Sequence, residues 1–414
     1  MPTAQEWIHD WNRSAGPECI PGRRCELNDE TLRDGLQSPS VRDPELEDKR
    51  ALLHCMAELG IERADIGLPG AGPRAQEHVR KLAEEIARAR LPLRPNCAAR
   101  SLESDLTPIA EIQQATGVAL EAAIFIGSSP IRRYAEDWTV DFLLRTTRQA
   151  LQRARELELR IMYVTEDTTR CDPETMRALY RAALEEGAEA LVFCDTVGHA
   201  TPAGVRALLE FARREIVAGH RGIRLDWHGH NDRGLATANA LAALEAGADC
   251  VHACALGIGE RVGNTSMDQM MVNLRLMGRL ENDLSRLNEY CQLAARMLGM
   301  AIPPNYPVMG RDAFRTSTGV HAAAVIKSLQ KQDLELADRV YSGVPAAWFG
   351  RRQEIELGPM SGRSNVTWWL EAHGHAASPR HVNALLAAAK ASDHVLSDAE
   401  LETLLGGIAA APGV

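Results

Sequence analysis

The sequence predicts an α/β protein: a (β/α)8 barrel followed by a mostly helical C-terminal region. Three observations predict it. From Arg24 to about Leu280, short apolar runs alternate eight times with amphipathic helical stretches, the rhythm of a closed parallel barrel. Polar clusters follow nearly every strand run at its C-terminal end, where barrels place their chemistry. The first run leads into TLRDGLQ rather than a glycine-rich phosphate turn, which disfavours the rival open, doubly wound sheet.

The expected strands, in order, are Arg24–Leu27, Ile61–Ile66, Leu93–Ala98, Ala119–Ile126, Arg160–Val164, Ala190–Phe193, Arg224–His228 and Cys250–Ala255. Helical patterns such as LEDKRALLHCMAELG, PETMRALYRAALEEG and LATANALAALEAG fill the gaps, and each ends in Gly, a common helix stop. This divides the 414 residues into an N-terminal arm (1–22), a catalytic barrel (23–283) and helical C-terminal subdomains (284–414). The last part contains LNEYCQLAARMLGM, the proline-rich AIPPNYPVMG, RTSTGVHAAAVIKSLQ and an irregular YSGVPAAWFG. It reads as too short and irregular for a core of its own, so it is expected to pack on a second copy in a homodimer. After Gly374 the expectation is two short helices and a frayed Gly-Val tail, with no separate regulatory domain.

With 45% hydrophobic and 25% charged residues the composition is that of an ordinary globular protein, and the net charge of −10 argues against a nucleic-acid partner. No apolar run approaches the twenty residues of a membrane helix. The N-terminus lacks the basic start and apolar core of a secretory signal. Nine scattered cysteines with no CxxC pair read as reduced thiols in a cytoplasmic protein.

HGHND, ending the seventh strand, is the sharpest local signal. Residues i and i+2 of a strand point the same way, so His228 and His230 can reach one metal ion. Two ordinary satisfied histidines are the bland alternative; the pairing, the barrel-mouth position and the adjoining Asn231-Asp232 favour metal. TLRDG follows the first strand, separated from the seventh only by the eighth, so Asp34 can supply an anionic third ligand and Arg33 a carboxylate or oxyanion partner. An Arg-Asp pair alone is more often structural. In GIGERVGN, Asn264 offers an oxygen ligand and Glu260 a carboxylate, although many such loops are only turns. TEDTTR brings Glu166, Asp167 and Arg170 to the fifth strand end, and CDTVGHATP brings Asp195, Thr196 and His199 to the sixth. Helix capping by Thr168 or Asp172, and by Thr201 before Pro202, accounts for part of these clusters.

TLRDGLQ, EDTTR, DTVGHATP, HGHNDRGLA, GIGERVGN and TGVHAA, in that order, resemble the family of 2-isopropylmalate, homocitrate and citramalate synthases, with 3-hydroxy-3-methylglutaryl-CoA lyase a more distant relative. The resemblance runs from about Cys25 to Gly374. It implies a Claisen condensation of acetyl-CoA with a small 2-oxo acid, giving an alkylmalate-type 2-hydroxy diacid. Asp34, His228, His230 and Asn264 would hold a divalent metal: Mg, Mn, Co or Zn. Arg33 would hold the oxyanion, Thr196 the 2-oxo acid, and Gln37 and Glu260 would line the substrate site. Glu166 would serve proton transfer, and His321 with Tyr341 would be the catalytic pair offered to a neighbouring subunit.

This chain departs from the family pattern at Asp65, at Ala323 and in Asn28-Asp29-Glu30, which replaces a more usual acidic-Thr opening. The resemblance also implies that a leucine-binding regulatory domain is missing after Gly374. The best reading of the 2-oxo acid is 2-oxoisovalerate, with homocitrate, citramalate or other substituted-malate products as alternatives. Arg100, Arg132 and Arg133 are candidates for binding a second carboxylate. The other enzyme reading, a retro-Claisen lyase, needs a cysteine in the loop after the last strand, and GIGERVGN has none. A non-catalytic scaffold sits poorly with intact ligand positions.

Overall fold

Eight short strands close on themselves: β1 (Glu26–Asp29), β2 (Arg63–Asp65), β3 (Arg94–Arg100), β4 (Glu121–Gly127), β5 (Arg160–Glu166), β6 (Ala190–Asp195), β7 (Arg224–Gly229) and β8 (Cys250–Ala253). All neighbours are parallel, and β1 pairs with both β2 and β8, Asn28 lying opposite Arg63 and His252. This computed structural model describes residues 8–10, 12 and 25–410. Arg24, most of the expected N-terminal arm and the Gly-Val tail lie outside the described residues, as does Cys19; the other eight cysteines are free thiols. Every expected strand forms. β5 and β6 run on to Glu166 and Asp195, while β8 stops at Ala253 because Ala255–Gly257 turns as a 3-10 segment.

The helices after the strands are amphipathic and bury one stripe. In α1 (Leu46–Glu58), Leu52, Leu53 and Met56 are wholly buried, each contributing about 2 kcal/mol of apolar transfer. The expected caps are partly in place: Asp172 accepts the Thr175 N–H at 2.9 Å, and Thr201 caps the helix that starts at Pro202. Thr168 instead sits in the core, where its hydroxyl donates to the Thr165 carbonyl.

The barrel lumen is two-sided. Ala123, Met162, Ala190, Val192 and Cys194 from β4–β6 form an apolar cluster. The opposite wall is ionic. Arg63 donates to Glu121 and Glu26, and Arg224 donates to Glu121 and Asp226, all at 2.7–3.1 Å. β4 is adjacent to neither β2 nor β7, so these contacts cross the lumen and close its floor. Buried charges persist only when paired in this way.

Among the described residues the chain separates into two compact units, 25–301, and 302–410 with 8–10 and 12. The helix Leu287–Leu298 belongs to the barrel unit, where the buried Tyr290 hydroxyl donates to Asp29 of β1. In the other unit, Arg315–Thr316 and Glu354–Ile355 pair as a two-stranded parallel sheet among helices. The expectation that this region lacks a core is corrected. Leu357, Val366, Trp369, Leu370, Val382, Leu385, Ala389, Leu401 and Leu405 pack together. The helices Pro379–Ala391 and Asp398–Ala410 are three to four turns each and close on Trp369. Among the described residues no helix is long and apolar enough to cross a membrane.

Candidate metal centre at the barrel mouth

His228 is the last residue but one of β7 and His230 follows two residues on, so the strand's alternation turns both imidazoles inward, with Nε2 atoms 3.2 Å apart. The turn after β1 brings Asp34 alongside, its Oδ2 3.7 Å from His228 Nε2. The loop after β8 folds back along the end of β7: His230 bridges Asn264, and the Thr265 N–H donates to the Gly229 carbonyl. One ligand atom from each of Asp34, His228 and His230 lies within 4.8 Å of the others, and all three residues are buried. Asn264 donates its amide N–H to Asp34 at 3.1 Å and also faces Cys254 Sγ and the Ile258 carbonyl. These acceptors fix the amide orientation, and its Oδ1 is left buried with no partner.

The protonation pattern suits a cation. Glu30 Oε2 lies 2.7 Å from His228 Nδ1, so the ring proton sits on Nδ1 and the Nε2 lone pair faces His230 and Asp34. Burial holds the His230 imidazole below its ordinary range and therefore neutral. Burial alone would raise the Asp34 carboxyl, but the Arg33 guanidinium beside it overrules that and keeps the group anionic. Two lone-pair nitrogens, a carboxylate and an orphaned amide oxygen, all out of water, make a donor set that fits a divalent ion of borderline softness.

Arg33 is the hinge of the surrounding charges. Its Nε donates to Asp65 at 2.7 Å, Nη1 to Asp34 at 2.8 Å and Nη2 to Glu30 at 3.0 Å. Two of its five N–H donors remain. Thr196 lies at the β6 end, its hydroxyl accepting the Asp167 N–H at 2.8 Å, which leaves its own proton to donate. Glu166 ends β5, is 34% exposed, and has Arg132 Nε 3.7 Å away; burial raises its carboxyl above the usual range. Gln37 and Glu260 are exposed. Asp195, by contrast, is fixed within its own loop, accepting from Thr169 and from the His199 and Ala200 N–H groups.

Of the three arginine candidates, Arg100 is committed to Asp105 and Arg133 to Asp172, while Arg132 faces both Glu136 and Glu166. His321 and Tyr341 belong to the C-terminal unit, where their rings lie with centroids 4.2 Å apart, tilted by 30°. Sequence reasoning missed Glu30, His252 and Asp226 as parts of this centre. The signal was present at Glu30, whose i+2 spacing from Asn28 points it into the lumen.

A family model described as HMGL-like matches residues 24–294. A 2-isopropylmalate synthase of Pyrococcus furiosus is 30% identical over 88% of this chain and 71% of its own length. A homocitrate synthase of Sulfolobus acidocaldarius is 28% identical over 89% of this chain and 75% of its own. The chain spans about two thirds of the length of the curated relatives it matches. Among solved structures, a hydroxymethylglutaryl-CoA lyase of Pseudomonas aeruginosa superposes with a TM-score of 0.56 at 22% identity, over 67% of this chain and 94% of that one. That likeness is one of fold.

Proposed function

The chain belongs to the HMGL-like family, and from that premise we propose that it condenses acetyl-CoA with a small 2-oxo acid, releasing CoA and an alkylmalate-type 2-hydroxy diacid. The observation that carries the reading is the Asp34–His228–His230 cluster, with Asn264 donating to Asp34, its Oδ1 buried without a partner, and Arg33 beside it. A divalent ion held there would supply Lewis acidity and a fixed face for the carbonyl and carboxylate of a 2-oxo acid. Thr196 donates to the substrate carboxylate, with Gln37 and Glu260 near the mouth. His321, paired with Tyr341, removes a methyl proton from the thioester, and Glu166 serves the same proton traffic. The resulting carbanion attacks the 2-oxo carbon. The spare N–H groups of Arg33 receive the alkoxide. Water then cleaves the thioester, which makes the sequence effectively one-way.

A homodimer that shares His321 and Tyr341 between copies is part of this proposal. In its favour, Val320, Tyr341 and Met360 of the C-terminal unit are 50–73% exposed, and the backbones of residues 319 and 360 are joined by the Gly319 N–H donating to the Met360 carbonyl. The retro-Claisen reading is disfavoured by Cys254. Its thiol is fully buried against the Asn264 amide, and burial raises it far above the range of a reactive cysteine.

The test is thiol release from acetyl-CoA across a panel of 2-oxo acids, with and without a chelator. 2-Oxoisovalerate is the expected best substrate, and 2-oxoglutarate and pyruvate are the comparison arms. Chelator-insensitive release, or none with any 2-oxo acid under added metal, would refute the proposal.

A further inference from the structure

Beneath the proposed metal ligands the lumen holds a continuous series of buried polar contacts. Arg224 clamps Asp226 with Nε at 2.8 and 3.0 Å from its two oxygens. Asp226 Oδ2 lies 3.2 Å from His252 Nε2, and His252 Nδ1 lies 2.9 Å from Glu30 Oε1. Glu30 then uses Oε2 for His228 Nδ1, and Oε1 also accepts Arg33 Nη2. Asp226, His252 and Glu30 are each at most 3% exposed. They come from three strands, or the turn just after one, that meet only because β1 closes on β8.

We propose that His252 is a positioning residue for the centre. By bridging Asp226 and Glu30 it fixes the carboxylate that sets the tautomer and angle of His228 and anchors one arm of Arg33. The physical argument is rotational. A glutamate carboxylate turns easily about its last bond, and His228 keeps its Nε2 lone pair on the metal position only while Oε2 stays in place. Without His252, Oε1 keeps a single donor, Arg33, which two other carboxylates also pull on. Such supporting hydrogen bonds commonly change metal affinity by about 10–100-fold. The inference rests on the metal-centre reading above.

The test uses the full chain, stripped by chelator and titrated with Co(II) alone, following the visible absorption of the bound ion; turnover plays no part. The parent should bind one equivalent. His252→Phe should bind about tenfold or more weakly, with a shifted spectrum. His252→Asn, whose amide nitrogen takes the place of Nδ1, should recover most of the affinity. Glu30→Gln should weaken binding in the same way, and combining it with His252→Phe should add little further loss. Should His252→Phe fail to fold, His252→Leu, alone and combined with Glu30→Gln, decides the matter. Unchanged affinity and spectrum in a folded His252→Phe or Glu30→Gln protein would overturn the positioning role while leaving the centre intact. A parent that binds no Co(II) would overturn the centre itself. A second equivalent lost with His252 would make it a ligand alongside Asp226 and Cys250, and would overturn the proposal as well.

Discussion

Asp29→Asn should make the barrel's stability less sensitive to pH, by an amount the structure fixes. Asp29 is fully buried on the outer face of β1, where the Thr31 N–H donates to one oxygen at 2.9 Å and the Tyr290 hydroxyl to the other. Burial, against those two hydrogen bonds, pushes its carboxyl from 3.8 up to about 6. The folded state therefore holds this proton more tightly than the unfolded chain. The stability contributed by the neutral form is complete below about pH 4 and is lost as pH rises through about 6. Two units correspond to ~3 kcal/mol by about pH 7.5, of which roughly half is already lost at about pH 5. Asparagine keeps the shape and can satisfy both partners, its carbonyl accepting from Thr31 and its amide donating to Tyr290. The stability difference in favour of the variant should thus grow by ~1.4 kcal/mol between about pH 5 and about pH 7.5. Hydrogen–deuterium exchange of the β1 and β8 amides in rising urea, read by mass spectrometry at both pH values, reports this unit specifically. A difference that stays constant with pH, or moves the other way, would refute the reasoning.

Asp34→Ala, His228→Ala and His230→Ala should each lose thiol release and bind Co(II) weakly; full activity in any of them after chelator treatment would remove that residue from the ligand set. His321→Ala and Glu166→Ala, each inactive alone, should recover some activity on mixing if the pair is shared between copies, and recovery would be absent if one chain supplies both. Glu121→Leu should destabilise the barrel by about 3–5 kcal/mol, because Arg63 and Arg224 each lose a buried partner. Glu189→Ala, which breaks the exposed pair with Arg160, should cost less than about 1 kcal/mol by the same urea assay.

The eight strands were legible because parallel barrel strands are buried on both faces and read as compact apolar runs. The convergence of His228 and His230 was legible because residues i and i+2 of a strand turn to the same side. The lumen's ionic half was not. Glu26, Arg63, Glu121 and Arg224 open their strands, where a charge is as expected in a solvated turn, with Asp226 two residues further on, and only closure of the ring shows that they face one another. His252 inside CVHACAL looks like an ordinary core histidine until β8 is laid against β1. The C-terminal helices were undervalued because Ala-rich stretches carry little apolar bulk, and their shared core depends on Trp369, outside the tail itself.

The closing pair of the ring has a consequence for synthesis on the ribosome. Glu30 and His252 are 222 residues apart. At about 5–20 residues per second, roughly ten to forty seconds pass between the emergence of one and the other. Through that interval one edge of the first strand has no partner, and the ligand set cannot assemble. An apolar segment in that position would invite pairing with other nascent chains. This one reads Glu-Leu-Asn-Asp-Glu, with three acidic residues in five, and charge on an open edge discourages such pairing. The carboxylate of Glu30 thus also keeps the edge of the waiting strand charged until β8 arrives to pair with it.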